Sequence, residues 1–122
     1  MKVLIVEDDK VCQKVIESII QRAGAQTVSV NTGVDAILKD KIENFDLMIL
    51  DIMLPESDGP SVANHIIQTT LIPKIIVVTA APELALPEWK DRVLCVLNKQ
   101  NLCSQLGELL TQFDTSSLTG AS

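Results

Sequence analysis

Five short apolar runs alternate with five segments of helical periodicity, and this alternation constrains the fold more than any other feature of the sequence. Runs of β-branched and aliphatic residues are typical of buried parallel strands. Strands that alternate with helices are joined by right-handed crossovers into one parallel sheet. The predicted strands are Lys2–Val6, Gln26–Asn31, Asp46–Leu50, Lys74–Thr79 and Val93–Leu97. We therefore expect an α/β fold with a five-stranded parallel sheet and about five flanking helices.

The helical segments are defined by apolar spacing and by the residues at their ends. A first helix is predicted from Lys10 to Ala23, and a third from about Pro60 to Thr70 with proline in its first turn. Pro82 and Pro87 interrupt the segment after the fourth strand, so a fourth helix there should be short or begin only near Pro87. The second and last helices are marked by Val34, Ile37, Leu38 and Ile42, and by Leu102, Leu106, Leu109, Leu110 and Phe113.

The length of 122 residues suits one domain with a single core. We place this domain at residues 1–113, because residues 114–122 are rich in Ser, Thr and Gly. Such a composition is typical of a flexible tail or of the start of a linker.

Charge and composition exclude several classes of function. A net charge of -6 argues against a broad nucleic-acid-binding surface, and no apolar run is long enough for a membrane span or a signal peptide. The three cysteines, Cys12, Cys95 and Cys103, have no CxxC spacing and indicate neither a disulfide framework nor a zinc site. A cytoplasmic protein is the expectation.

Polar residues lie at or just after the ends of four of the predicted strands. Asp8 and Asp9 follow the first strand, Asp51 the third and Lys99 the fifth, whereas Thr79 ends the fourth. The carboxyl ends of parallel strands meet at one edge of the sheet, where ligands bind in open α/β folds. The sequence therefore predicts a site at this edge.

The residue types at this edge suit a divalent cation and a phosphoryl group. Adjacent carboxylates repel one another unless a cation enters, and hard oxygen ligands favour Mg²⁺. The predicted ligands are Asp8, Asp9 and Asp51, with the backbone carbonyl of Met53. Asp51 is the candidate nucleophile, and Lys99 and Thr79 are the candidate contacts to phosphoryl oxygens.

Five features occur in order along the chain: Asp8-Asp9, Asp51 within Leu50-Asp51-Ile52-Met53-Leu54-Pro55, Gly59, Thr79 and Lys99. This combination resembles the receiver domain of two-component response regulators. The resemblance covers roughly residues 2 to 113. It implies a flavodoxin-like doubly wound sheet of strand order 2-1-3-4-5. It also implies phosphoryl transfer from a histidine kinase or phosphotransfer protein to Asp51, self-catalysed phosphorylation and dephosphorylation, and a downstream protein or fused output domain. A dimer is compatible with the resemblance.

Two positions and the fourth-helix region depart from the family pattern and keep alternatives open. Receivers usually have proline after the lysine and an aromatic residue three positions before it, whereas this chain has Gln100 and Val96. One alternative is therefore a receiver-like interaction module that works without phosphorylation. A phosphatase with an aspartate nucleophile is a weaker alternative, because Met53 stands where its acid/base would be. Trp89 is either an exposed anchor for a partner or a core residue that replaces the missing aromatic.

Overall fold

The computed structural model describes residues 1–111, and a parallel sheet forms the centre of this part of the chain. Its strands are β1 (Lys2–Val6), β2 (Gln26–Val30), β3 (Leu47–Leu50), β4 (Lys74–Thr79) and β5 (Val93–Asn98). The strand order is β2-β1-β3-β4-β5, and every pairing is parallel. The predicted five-stranded α/β fold with order 2-1-3-4-5 is confirmed.

Four α-helices cover the two faces of the sheet within the described residues: α1 (Lys10–Arg22), α2 (Gly33–Ile42), α3 (Gly59–Thr69) and α4 (Leu102–Thr111). Alternate residues of the central strands point to opposite faces, as the pleat of a strand requires. Helices α1 and α4 pack on one face through residues such as Ile20 and Leu106, and α2 and α3 pack on the other through Ala36 and Ile67. Both faces of the central strands are therefore buried.

The connection between β4 and β5 has as little helix as its prolines predict, but the helix there is of the 3-10 type and not an α-helix. Within residues 1–111 it holds no α-helix, only two 3-10 turns at Pro82–Leu84 and Pro87–Asp91. Proline opens each turn, fixes φ there and lacks the N–H that a continuous helix would need. Trp89 in the second turn is only 2% exposed, and its Nε1 donates to Oδ1 of Asn64 at 2.7 Å. The interpretation of Trp89 as a core residue is confirmed.

Helix α2 is present as predicted, but most of its apolar markers face solvent. Val34, Leu38 and Ile42 are 55%, 54% and 74% exposed. The buried positions of α2 are Gly33 and Ala36, whose small size lets the helix lie close to its neighbours. The apolar periodicity therefore located the helix but not its buried face.

Two sequence expectations concern residues beyond this description. Phe113, predicted in the last helix, and the predicted tail at 114–122 lie outside the described residues. No helix in residues 1–111 is long and apolar enough to cross a membrane.

Candidate functional site

Asp51 lies directly after β3, at the carboxyl edge of the sheet. Its backbone N–H donates to the carbonyl of Val6 at 3.2 Å, which ties it to the end of β1. The residue is 3% exposed. Oδ1 accepts the backbone N–H of Met53 at 3.0 Å, and Oδ2 accepts from Nζ of Lys99 at 2.8 Å. The carboxylate is therefore held in one orientation from two sides.

Lys99 joins two carboxylates across the edge of the sheet. It opens a 3-10 turn after β5, and its ammonium group lies 2.9 Å from Oε1 of Glu7 and 2.8 Å from Oδ2 of Asp51. Burial alone would lower the pKa of Lys99, but hydrogen bonds to Asp51 and Glu7 outweigh burial and raise it. No peptide bond in residues 1–111 is cis, so the bond to Gln100 is trans, as the missing proline predicts. Lys99 reaches Asp51 without the family's proline.

Glu7 is a candidate site residue that sequence reasoning missed. It is 1% exposed, and within the described chain its Oε2 has no hydrogen-bond partner. Burial raises the pKa of Glu7, a hydrogen bond from Lys99 opposes this rise, and the negative charge of Asp51 adds to it. Carboxylate oxygens of Glu7, Asp8 and Asp51 lie within 4.8 Å of one another. This carboxylate group is the candidate cation site.

Asp9, predicted as a metal ligand, is not in the carboxylate group found among residues 1–111. It is the N-cap of α1, and its Oδ1 accepts the backbone N–H groups of Val11 at 3.0 Å and Cys12 at 3.4 Å. An aspartate before the first helical turn satisfies N–H groups that have no partner inside the helix. The structure thus places Asp8 in the predicted site and Asp9 in a helix cap. An aspartate directly before an apolar helical pattern was a signal for this cap.

Thr79 and Met53 lie at the same edge of the sheet. Thr79 is fully buried at the end of β4, and its Oγ1 accepts the backbone N–H of Ala81 at 3.1 Å. The Met53 backbone is held by its hydrogen bond to Asp51, whereas its side chain is 48% exposed. The structure therefore brings Asp8, Asp51 and Lys99 together, with Thr79 and Met53 on adjoining segments.

Gln13 supports Glu7 from helix α1. Its Nε2 donates to the backbone carbonyl of Glu7 at 3.0 Å and to Oδ1 of Asn31 at 3.1 Å, and the residue is 7% exposed. Buried amides are retained where they satisfy backbone groups. A polar residue that shares helical spacing with Ile16 and Ile20 was the sequence signal for such a role.

Known proteins match most of this chain in sequence. A sequence model of the response regulator receiver domain matches residues 3–90. The PhoP regulator of alkaline phosphatase synthesis from Bacillus subtilis is 32% identical over 82 residues, which are 67% of this chain and 34% of PhoP. The transcriptional regulatory protein GltR from Pseudomonas aeruginosa is 36% identical over 94 residues, which are 75% of this chain and 37% of GltR. The chain spans about a third of the length of these relatives.

Solved structures show the same fold. The response regulator TrrA from Thermotoga maritima, in complex with Mg²⁺ and BeF, has a TM-score of 0.76 and 25% identity, covering 91% of this chain and 96% of its own. The response regulatory domain of mrkE from Klebsiella pneumoniae has a TM-score of 0.75 and 28% identity, covering 99% and 97%. Since the family match spans most of the chain, the protein belongs to the response regulator receiver domains of two-component systems.

Proposed function

We propose that this receiver domain is a phosphoacceptor switch, in which Asp51 takes a phosphoryl group from a histidine kinase or phosphotransfer protein and thereby changes partner binding. The observation that carries the proposal is the carboxylate of Asp51, which is buried, fixed by two hydrogen bonds and paired with Lys99. A buried, oriented carboxylate beside a cation is suited to nucleophilic attack on phosphorus.

The residues around Asp51 fit a bound Mg²⁺. Three carboxylates supply hard oxygen ligands within 4.8 Å of one another, and Oε2 of Glu7 is buried without a partner in the described chain. Three carboxylates and the ammonium of Lys99 leave two negative charges, which one divalent cation would cancel. We propose Glu7, Asp8 and Asp51 as the ligands, with the backbone carbonyl of Met53 as a fourth. Mg²⁺ at this position would supply charge neutralisation for the incoming phosphoryl oxygens.

The chain's own residues would carry the transfer step. An Asp51 carboxylate oxygen forms a bond to phosphorus while the bond from phosphorus to the donor's histidine nitrogen breaks, and the imidazole leaves with the bonding electron pair and takes up a proton. Lys99 donates to the phosphoryl oxygens, and the Thr79 hydroxyl, which can donate as well as accept, would contact another. Hydrolysis would return Asp51 to its carboxylate.

We propose that the output is a downstream protein or a fused output domain in the cytoplasm, with a dimer as one possible form. Two relatives are named as transcriptional regulators and are about three times as long as the matched region. The acidic receiver domain itself would not contact DNA. The alternative of an interaction module without phosphorylation is not favoured, because Lys99 and the carboxylates are assembled despite Gln100 and Val96.

The experiment is intact-mass analysis after incubation with acetyl phosphate and Mg²⁺. The wild-type protein should gain the mass of one phosphoryl group, and Asp51→Asn should gain none. Asp91→Asn, which changes an exposed aspartate away from the site, is the matched control and should react as wild type does. Excess EDTA should prevent the reaction. An unmodified wild-type protein, or equal modification of Asp51→Asn, would contradict the proposal.

A further inference from the structure

The carboxylate of Glu56 joins the loop after Asp51 to the first turn of helix α2. Oε1 accepts the backbone N–H of Gly33 at 3.1 Å, and Oε2 accepts that of Val34 at 2.9 Å. The first N–H groups of a helix have no partner inside the helix, and they carry the positive end of its dipole. Burial would raise the pKa of Glu56, but hydrogen bonds from the backbone of Gly33, of Val34 and of Glu56 itself together outweigh it and lower the pKa. We call this pair of contacts the Glu56 bridge.

The loop and the helix are also in direct van der Waals contact at this point. A side-chain carbon added at Gly33 would collide with Cγ1 of Val62, lie 2.9 Å from Oε2 of Glu56 and lie 3.1 Å from Cδ1 of Leu54. The contact with Val62 is too short for a real carbon and the contact with Leu54 is tight, so the first turn of α2 packs closely on the loop and on α3. The Glu56 bridge therefore joins a loop and a helix that are already packed against each other.

The other end of this loop is bonded to the Asp51 carboxylate. The Met53 N–H donates to Oδ1 of Asp51 at 3.0 Å, and the Leu54 N–H donates to the carbonyl of Ile52 at 3.0 Å. Hydrogen bonds thus hold the start of the loop to Asp51 and its end, at Glu56, to α2, and the backbone of residues 53–56 connects the two.

We propose that Glu56 is a positioning residue that couples the phosphorylation state of Asp51 to the start of α2. This inference rests on the proposed function of Asp51. Phosphorylation replaces the carboxylate that accepts the Met53 N–H with an acyl phosphate, whose remaining carbonyl oxygen is a weaker acceptor, so this hydrogen bond and the loop that contains it would adjust. The Glu56 bridge passes the adjustment to Gly33 and Val34. Val34 also begins the exposed apolar face of α2 with Leu38 and Ile42, so this outer face is the surface that would change.

The test is amide hydrogen exchange measured by NMR at Gly33 and Val34, with and without acetyl phosphate and Mg²⁺. Intact mass records the extent of phosphorylation in each sample. In the wild-type protein, phosphorylation should change the exchange rates of these two amides by about fivefold or more, the scale expected for one backbone hydrogen bond. In Glu56→Ala these amides should exchange faster from the start, and phosphorylation should leave their rates unchanged.

Two further variants test whether Glu56 transmits the effect of phosphorylation or only stabilises the fold. Glu56→Gln keeps an amide oxygen that can accept an N–H, so part of the response should return. Glu83→Ala removes an exposed glutamate from the connection between β4 and β5 and should respond as wild type does.

The outcomes are distinguishable. Phosphorylated Glu56→Ala whose α2 amides respond like those of the wild type would overturn the coupling, while the proposed function stands. The coupling would also be refuted by a phosphorylated wild type whose α2 amides do not respond. If the wild type gains no phosphoryl mass, the proposed function itself fails, and the coupling fails with it. Should Glu56→Ala not fold, the wild type and Glu56→Gln still decide the question.

Discussion

The ammonium group of Lys99 lies between two buried carboxylates, 2.9 Å from Glu7 and 2.8 Å from Asp51. Glu7 and Asp51 follow neighbouring strands of the sheet, and Lys99 reaches them from the turn after the edge strand β5. The positive charge of Lys99 therefore offsets the repulsion between these two buried carboxylates.

Removal of the Lys99 charge should destabilise the protein. Lys99→Met leaves Glu7 and Asp51 buried without their cation, which should lower the free energy of unfolding by about 3 kcal/mol. Urea denaturation in EDTA measures this loss. Lys90→Met, which changes an exposed lysine, is the control and should have little effect. Added Mg²⁺ should stabilise Lys99→Met more than the wild type. Equal stabilisation of the two proteins would argue that Lys99 and Mg²⁺ do not neutralise the same carboxylates.

Neutralisation of Glu7 should stabilise the metal-free protein. Burial raises the pKa of Glu7 above its ordinary value of 4.5, so its ionised form opposes folding at pH values above the folded-state pKa. The contribution of Glu7 to stability therefore falls as pH rises through that pKa and recovers as pH falls toward 4.5.

The variant for this test is Glu7→Gln, which retains an oxygen that can accept from Lys99. It should be more stable than the wild type in EDTA near neutral pH, on the order of 1 kcal/mol, and should bind Mg²⁺ more weakly. Urea denaturation across pH measures the first effect, and Mg²⁺ titration the second. A variant that is less stable than the wild type at neutral pH would contradict this account of Glu7.

Substitution of Asp8 should weaken Mg²⁺ binding, whereas substitution of Asp9 should lower stability. Asp9→Ala removes the cap of α1 and should cost about 1 kcal/mol of stability, whereas Asp9→Asn can still cap the helix and should cost less. Asp8→Ala should leave stability nearly unchanged and weaken Mg²⁺ binding. Calorimetric Mg²⁺ titration together with thermal unfolding separates these effects. Equal loss of Mg²⁺ affinity in Asp8→Ala and Asp9→Asn would return Asp9 to the ligand set.

Two glycines offer a matched pair of alanine substitutions. A side-chain carbon at Gly59 would lie 2.5 Å from the carbonyl oxygen and 2.8 Å from the nitrogen of Leu54, so Gly59→Ala must displace the loop that carries Met53. We expect Gly59→Ala to be destabilised by roughly 2 kcal/mol and to accept phosphoryl groups more slowly. Gly107 lies within α4 with no neighbour in contact range, so Gly107→Ala should stabilise by about 0.5 to 1 kcal/mol. Thermal unfolding compares the two, and a neutral Gly59→Ala would mean that the loop is not packed as described.

The sheet could be predicted from the sequence because the apolar runs that mark the strands are also the residues that the helices bury. The apolar run in β4 is rich in β-branched residues and short, which is typical of a strand buried on both faces, and prolines marked the interrupted connection after it. Glu7 was missed although the predicted bounds of the first strand, Lys2–Val6, match β1. Three acids in a row follow this strand, and local pattern does not tell which of them faces Asp51 and Lys99 and which caps the helix.

The buried face of α2 was missed for a different reason. Small residues form it, and Gly33 and Ala36 carry little hydrophobic signal, whereas the larger residues Val34 and Leu38 remain outside. The partners of Lys99 also depend on distances between segments that lie far apart in the sequence. Such contacts follow from tertiary packing and not from local pattern.

The all-parallel sheet also determines how the chain must fold. Each strand pairs only with strands from which a helix or the β4–β5 connection separates it, so no strand pair can form by a tight hairpin. Distant segments of the chain must come together before these strands can pair, and this requirement slows folding. Until the strands pair, the apolar strand Lys74–Thr79 is exposed to solvent. Refolding from denaturant should therefore compete with aggregation through this strand, and its yield should fall as the protein concentration rises.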